Sequence, residues 1–277
     1  MQFTLRDLQE RYPNDEACLK EILDRKYPNW VCKCGRTKLY KVKNRPVYAC
    51  ACGFQINPLV GTPMERTRTP LTSWFYVLYV MSYSKSGVSA TTMAKHLGVK
   101  YDTAWRMMMK VRETLSDDEP LTGEIEADET YLRARPWRTT RPLAYNGRAR
   151  TVFGMVERGG RAKAIAIPTN SKHFLMKNIE EHTKDVETFY TDGYGAYKDL
   201  GKTNKHLTVE HSKQEYVRDE VHTNNIENFW GGVKRGIYGV HRLVHSEYLQ
   251  NYLDYYAWHY SKRFSSEPLF YDLLARL

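Results

Sequence analysis

Glu124-Ile-Glu126-Ala-Asp128-Glu-Thr-Tyr131 is the stretch that decides the fold. Alternation puts Glu124, Glu126 and Asp128 on one face of a strand, with Ile125 and Ala127 on the other. A carboxylate in a central strand is costly unless something cationic meets it. Three in alternation therefore mark a place where charge is used. Around this stretch the pattern predicts strands over Gly123–Leu132, Thr151–Glu157 and Lys163–Ile167, then a helix over Thr169–His182. A fourth strand, Val186–Tyr190, runs into Thr-Asp192-Gly, and beyond Val221 the pattern is helical to Lys262, interrupted near Gly236–His245. Three strands, a helix, a strand and long helices predict an α/β fold with a mixed sheet.

Two more carboxylates belong to this pattern. Asp192 ends the fourth strand, directly before Gly193. Glu227 lies in His222-Thr-Asn-Asn-Ile-Glu-Asn-Phe-Trp-Gly-Gly-Val-Lys234-Arg235, which reads as a helix despite its glycines. Seven residues separate Glu227 from Lys234, so an acid and a base point off one helix face. Three carboxylates from two strands and a helix can hold two divalent cations about 3.5–4 Å apart. Such a pair activates a water or a 3′-hydroxyl for in-line displacement at a phosphodiester. Mg²⁺ keeps several of its waters, so few protein carboxylates suffice. Taken singly, each acid also reads as an ordinary surface or salt-bridged residue.

The front of the chain carries different signals. Cys32-Lys-Cys34-Gly and Cys50-Ala-Cys52-Gly flank a strand-like stretch, Lys38–Tyr48, and read as a zinc ribbon. Each glycine lets the chain turn so that backbone N–H groups face the sulfurs. Two disulfides are the alternative for four thiols. Cys18 falls in a helical pattern over Asp15–Lys26 and reads as a small buried hydrophobe. After a connector over residues 54–72 and an apolar helix over Trp74–Ser84, the string from Ser89 to Met107 has helix-turn-helix form. Met93, Ala94 and Leu97 face inward, the turn falls at Gly98 with Val99 as plug, and Ala104, Met107 and Met108 are the buried face of the second helix. Lys100, Tyr101, Thr103 and Arg106 are then free to enter a major groove; a plain three-helix bundle is the alternative. Ser116-Asp-Asp-Glu-Pro120 marks a boundary near residue 120.

Composition fits these readings. The 277 residues carry 42 Lys and Arg against 32 Asp and Glu, a net +10 and a pI near 9.2. Arg133–Arg150 holds six arginines and no acid. Such an excess suits a polyanion, most simply nucleic acid; a solvated basic surface is the alternative. Hydrophobic residues at 42% argue against wholesale disorder. No apolar run reaches the length of a membrane span, and MQFTLRDLQERYPNDE lacks the apolar core of a signal peptide, so no membrane partner is expected. The histidines 206, 211, 222, 241 and 245 show no zinc-like spacing, and the aromatic run Tyr248–Tyr260 has the i, i+4 spacing of helix core.

Asp128-Glu-Thr-Tyr, Tyr190-Thr-Asp-Gly-Tyr, His211-Ser, His222 to Trp230 and Lys234-Arg-Gly-Ile-Tyr-Gly resemble the transposase domain of bacterial insertion sequences related to eukaryotic Merlin elements, the ISXO2-like transposases. The front half agrees through its paired cysteines, Gly61-Thr, Thr69-Pro-Leu-Thr-Ser-Trp-Phe, Gly87-Val-Ser-Ala and Thr103-Ala-Trp, so that residues 25–263 follow in order. The resemblance implies a ribonuclease H-like core and DNA transposition by a DDE mechanism with Mg²⁺ or Mn²⁺. Asp128, Asp192 and Glu227 would be its three acids, and Lys234, with Arg235 beside it, the basic position that contacts DNA. Some relatives carry Asn or His where the third acid is expected, which makes Asn224 and Asn225 candidates to share or replace the role of Glu227. The C-x-C pairs depart from the usual C-x-x-C and put the zinc geometry, rather than the ligands' identity, in question.

The organisation expected is an N-terminal helical segment (1–29), a zinc ribbon (30–60), a helix-turn-helix (70–116), a ribonuclease H-like domain (121–263) and a C-terminal tail (264–277). The partners expected are DNA, as element ends and target, and further copies of the chain, since two ends must be handled together. A cytoplasmic, nucleoid-associated location follows, or a nuclear one in a eukaryotic host. A domesticated or regulatory DNA-binding protein without transposition activity is the competing reading.

Overall fold

The computed structural model describes residues 3–135, 149–202, 205–209 and 222–277. Arg138, Arg141, Arg148 and His211 lie outside the described residues. The chain divides into two units. One comprises Met1–Ser84, Ala90–Thr114 and Ser265–Leu277, and the other Lys85–Ser89 and Leu115–Phe264.

In the first unit, α1 (Leu5–Arg11) starts at a reciprocal cap, Thr4 accepting from the Asp7 N–H while the Asp7 carboxylate accepts from the Thr4 N–H. Asn14 caps α2 (Asp15–Lys26), whose Cys18, Leu19, Ile22 and Leu23 are buried at the predicted spacing. The stretch predicted as strand-like over Lys38–Tyr48 is a hairpin. β1 (Leu39–Lys41) pairs antiparallel with β2 (Tyr48–Cys50), which pairs with β3 (Gln55–Ile56). Asn44, at φ +54°, turns the chain between β1 and β2, a conformation Asn tolerates. α3 (Leu71–Tyr83) buries Trp74, Phe75, Val77, Leu78 and Met81. α4 (Ala90–Leu97) and α5 (Tyr101–Arg112) are joined by Gly98–Lys100, Gly98 taking φ +64°. Met93, Ala94, Ala104, Met107 and Met108 are buried as expected. The C-terminal residues form a further helix of this unit, in which Phe270 stacks on Phe3 at 4.8 Å and meets Tyr12 and Phe75 edge-on or tilted.

In the second unit, β4 (Leu121–Arg135), β5 (Ala149–Glu157) and β6 (Ala162–Ile167) form an antiparallel meander. α6 (Lys172–His182) returns the chain to β7 (Thr183–Asp192), parallel to β4, and β8 (Lys205–Val209) runs parallel to β7. The order is β6-β5-β4-β7-β8, a mixed sheet with β4 at its centre. One face buries Leu121, Ile125, Ala127, Phe153, Met155 and Phe189 against Leu175 and Ile179 of α6 and against Tyr197. The other carries Glu124, which meets the Tyr190 hydroxyl, and Glu126 and Asp128, which meet α7 (Asn224–Lys234), as the alternation predicted. β8 was not anticipated. Its Lys205-His-Leu-Thr-Val is an edge strand exposed at one end, without a clear two-residue period.

The interruption predicted at Gly236–His245 is present but starts only after His241. α7 passes directly into a π-helical segment, Arg235–His241, before β9 (Val244–His245) pairs in parallel with the end of β4. A Cβ on Gly236 would lie 2.0 Å from the Tyr256 hydroxyl, so this glycine allows close packing on α8 (Leu249–Ser261). Tyr252, Tyr255, Tyr256 and Trp258 of α8 are buried, as their spacing predicted. The last helix of the chain, in the first unit, is α9 (Leu269–Ala275). Among the described residues no helix is long and apolar enough to cross a membrane.

Candidate functional site

Register brings two of the predicted acids side by side. β4 and β7 pair in parallel through Glu126 and Tyr190. Two residues further along each strand stand Asp128 and Asp192, on neighbouring strands about 4.8 Å apart. Tyr190 donates to Glu124 at 2.6 Å, so it shares the carboxylate face, and Asp192, two residues on, shares it too. The Asp192 carboxylate accepts the Tyr194 N–H at 3.0 Å, which turns the chain at the strand end.

Asp128 is held from the helix side. Its cross-strand partner on β5 is Gly154, where a Cβ would come within 2.3 Å of the Trp230 ring. Without a side chain there, Trp230 lies against the strand and its Nε1–H donates to Asp128 Oδ2 at 3.1 Å. Burial pushes the Asp128 carboxyl up to about 6, and the negative charges of Asp192 and Glu227 push the same way. Glu227, in the first turn of α7, is exposed and accepts a hydrogen bond from the Thr223 hydroxyl at 3.1 Å. Asp128 thus feels both of the other carboxylates, but the three do not form a cluster in which every ligand oxygen lies within 4.8 Å of the others. Among the described residues, that degree of convergence is reached by the four cysteines. The donor set of hard oxygens, with no cation among the described residues acting on Asp128, suits a divalent metal.

Two acids given no role by the sequence belong to the neighbourhood. Burial pushes Glu129 up to about 7, and Asp128 and Asp192 add to that. Its adjacency to Asp128 was a signal, but alternation sends it to the opposite face. Glu126 is fully buried and bound to the start of α7. Asn225 gives its side-chain amide to Glu126 at 2.8 Å, while Asn224 is exposed. Of the histidines, His206 pairs with the Thr191 hydroxyl at 2.9 Å and His222 lies 3.3 Å from Glu126.

A model of the ISXO2-like transposase domain matches residues 120–261, just over half of the chain. The chain belongs to this DDE transposase family. The matched span contains Asp128, Asp192, Glu227 and Lys234 together with the whole mixed sheet. A search of curated proteins finds no match. Among solved structures, the crystal structure of the Mos1 strand transfer complex is 11% identical over 73% of this chain and 73% of that chain, at a TM-score of 0.29, a likeness too loose to carry an argument.

Outside the span matched to the transposase domain, the cysteines form a compact cluster. Cys32 and Cys52 sulfurs lie 3.5 Å apart, those of Cys34 and Cys50 3.6 Å, and all are free thiols. The two turns are built alike. Gly35 N–H reaches Cys32 O at 2.8 Å with φ +82°, and Gly53 N–H reaches Cys50 O at 2.9 Å with φ +92°. The Arg36 N–H aimed at its sulfur, and then the Cys32 thiol, pull Cys34 down to about 6. Four converging thiols, one poised as thiolate, fit Zn²⁺ in donor chemistry. Of the groove-reading candidates, Lys100, Tyr101 and Arg106 are exposed and Thr103 half-buried, while Lys234 and Arg235 are exposed at the end of α7.

Proposed function

We propose that this chain is a DNA transposase that binds the terminal inverted repeats of its own element and performs metal-dependent strand cleavage and strand transfer. The observation that carries the reading is that Asp128 and Asp192 stand two residues beyond the register pair Glu126 and Tyr190 on adjacent parallel strands, with the charge of Glu227 reaching Asp128. A meander of three strands followed by two parallel ones, in the order β6-β5-β4-β7-β8, is what a ribonuclease H-like core requires. Asp128, Asp192 and Glu227 hold Mg²⁺ or Mn²⁺, which when bound activates the attacking oxygen and stabilises the leaving one. The chain's own part is to fix Asp128 through Trp230, to present Asp192 at a strand end and to place Lys234 and Arg235 where a phosphate backbone passes.

The cysteines hold a structural Zn²⁺, and the ribbon with α4 and α5 binds the element ends. Lysine and arginine supply salt-dependent affinity, and Lys100, Tyr101, Thr103 and Arg106 face the groove. The working form is a dimer or larger assembly, because two ends must be joined to one target. The test is strand cleavage on DNA carrying the gene's own flanks, with Mg²⁺, for wild type against Asp192→Asn. Nicks at one flanking position that vanish in the variant support the reading. Tight binding with no cleavage by the wild type transfers it to a regulatory DNA-binding protein.

A further inference from the structure

We infer that Glu126 is the positioning residue for the third acid: buried two residues before Asp128 on the same strand and face, it clamps the first turn of α7 and sets where Glu227 stands. The inference rests on the reading that Asp128, Asp192 and Glu227 hold a divalent cation.

Both oxygens of Glu126 are fully engaged. Oε2 accepts the backbone N–H groups of Asn225 at 2.8 Å and Ile226 at 3.0 Å. Oε1 accepts the Asn225 side-chain amide at 2.8 Å and Arg158 Nε at 3.0 Å. The first amides of a helix lack partners within it, and its positive end attracts an anion. A local cap would satisfy them, and Thr223 stands at the capping position. Yet Thr223 makes no side-chain bond to those amides; its hydroxyl goes to the Glu227 carboxylate. Capping is thereby handed to a side chain about a hundred residues away in sequence, on the strand that carries Asp128.

Arg158 completes the clamp. It lies over the Tyr190 ring at 3.6 Å from its centroid, and its Nη2 donates to the His222 carbonyl at 2.9 Å, just ahead of the helix. One stretch of β4 therefore fixes Asp128 directly and Glu227 through Glu126. A cap serving only stability could sit at position 223, where it would make no hydrogen bond from the first turn of α7 to β4.

The test uses the full-length protein and two readouts, Mn²⁺ binding followed by the signal of free Mn²⁺ and thermal unfolding. Asp192→Asn reports on the parent reading and is expected to weaken Mn²⁺ binding strongly. Glu126→Gln is expected to weaken it by about tenfold, the scale of losing a group that orients a metal ligand. Leu175→Ala, on the sheet face away from α7, is expected to lower the unfolding temperature without weakening Mn²⁺ binding. If Glu126→Gln does not fold, Asn225→Ala removes one bond of the clamp and is expected to weaken Mn²⁺ binding about threefold, the scale of one neutral hydrogen bond. A folded Glu126→Gln protein, or in its place Asn225→Ala, that binds Mn²⁺ as tightly as the wild type overturns the inference alone. An equal loss of affinity in Leu175→Ala also overturns it, since lost stability would then be the whole effect. An Asp192→Asn protein that keeps its affinity overturns the parent reading and the inference with it.

Discussion

The cysteine cluster and the carboxylate face solve the same problem, gathering anionic ligands, in opposite ways. The cysteines come from two turns of matching geometry, each closed by one backbone bond across a positive-φ glycine, and their sulfurs converge completely. The carboxylates come from the middle of one strand, the end of a second and the start of a helix, far apart in sequence, and converge in part. Thiols can share protons and sit in contact, whereas close carboxylates repel unless one protonates or a cation enters. The ribbon can assemble from local turns; the carboxylate face depends on the packing of a whole domain.

That contrast is broken most sharply by zinc removal. A structural zinc supplies folding free energy on the order of 10 kcal/mol to a small module. Cys50→Ser, or a strong chelator, is therefore expected to unfold residues 30–60, which Trp30 fluorescence reports through its stacking on Phe54 at 6.2 Å. The cooperative melting of the sheet unit should persist. A ribbon that keeps its Trp30 signal without zinc would show that its local turns suffice.

On the carboxylate side, the most disruptive small change is Gly154→Ala. The added methyl would stand 2.3 Å from the Trp230 ring, so the indole must shift. The expected cost is about 1–3 kcal/mol in urea unfolding, together with loss of the Trp230–Asp128 bond and of most cleavage activity. Unchanged stability would mean that α7 is held elsewhere, at its Glu126 end.

Asp128→Asn separates stability from function. The Asp128 carboxyl rises from 3.8 to about 6 on folding, so the folded state holds its proton more tightly than the unfolded chain. The stability this contributes is fully present below about pH 4 and is lost as pH rises through about 6. Metal-free wild type should therefore become less stable between those values, with Glu129, pushed up to about 7, extending the trend. Asn at position 128 should remove the penalty and stabilise the metal-free protein at pH 8 by roughly 1–3 kcal/mol, a figure lowered for partial solvent access, while abolishing cleavage. Equal melting temperatures of the two proteins at pH 8 would contradict the burial of that charge.

Much of this was legible in the chain because it depends on period. The alternation of Glu124 to Asp128 gave both the central strand and its charged face, and the Met93–Met108 spacing gave two packed helices. What escaped depends on partners distant in sequence. Glu126 looked like one more acid of the face, because nothing local reveals that Asn225 and Ile226 deliver their amides to it. Nothing local marks Gly154 either, because the Trp230 ring that lies against it comes from a helix far along the chain. The helix breaks over residues 242–248, later than the start of the predicted interruption, because Gly236 packs closely against Tyr256 and the helix runs on in π form to His241. β8 lacks the apolar period that would announce it.

The smallest effect expected concerns Lys234, which shares a helix face with Glu227 but sits exposed at the end of α7. If it meets a backbone phosphate, Lys234→Ala should weaken binding to every DNA sequence alike and reduce the slope of log K against log salt by about 0.9. Stability should hardly change, because an exposed lysine at a helix end contributes at most a few tenths of a kcal/mol. Arg106→Ala on α5, if that side chain reads a base, should instead discriminate between sequences, costing about 1–3 kcal/mol on element-end DNA and less on random DNA. The pair of variants thus assigns affinity and specificity to different units of the chain. Equal loss on both DNAs for Arg106→Ala would reduce α5 to a phosphate-binding surface, and place sequence reading elsewhere in the ribbon or the helices.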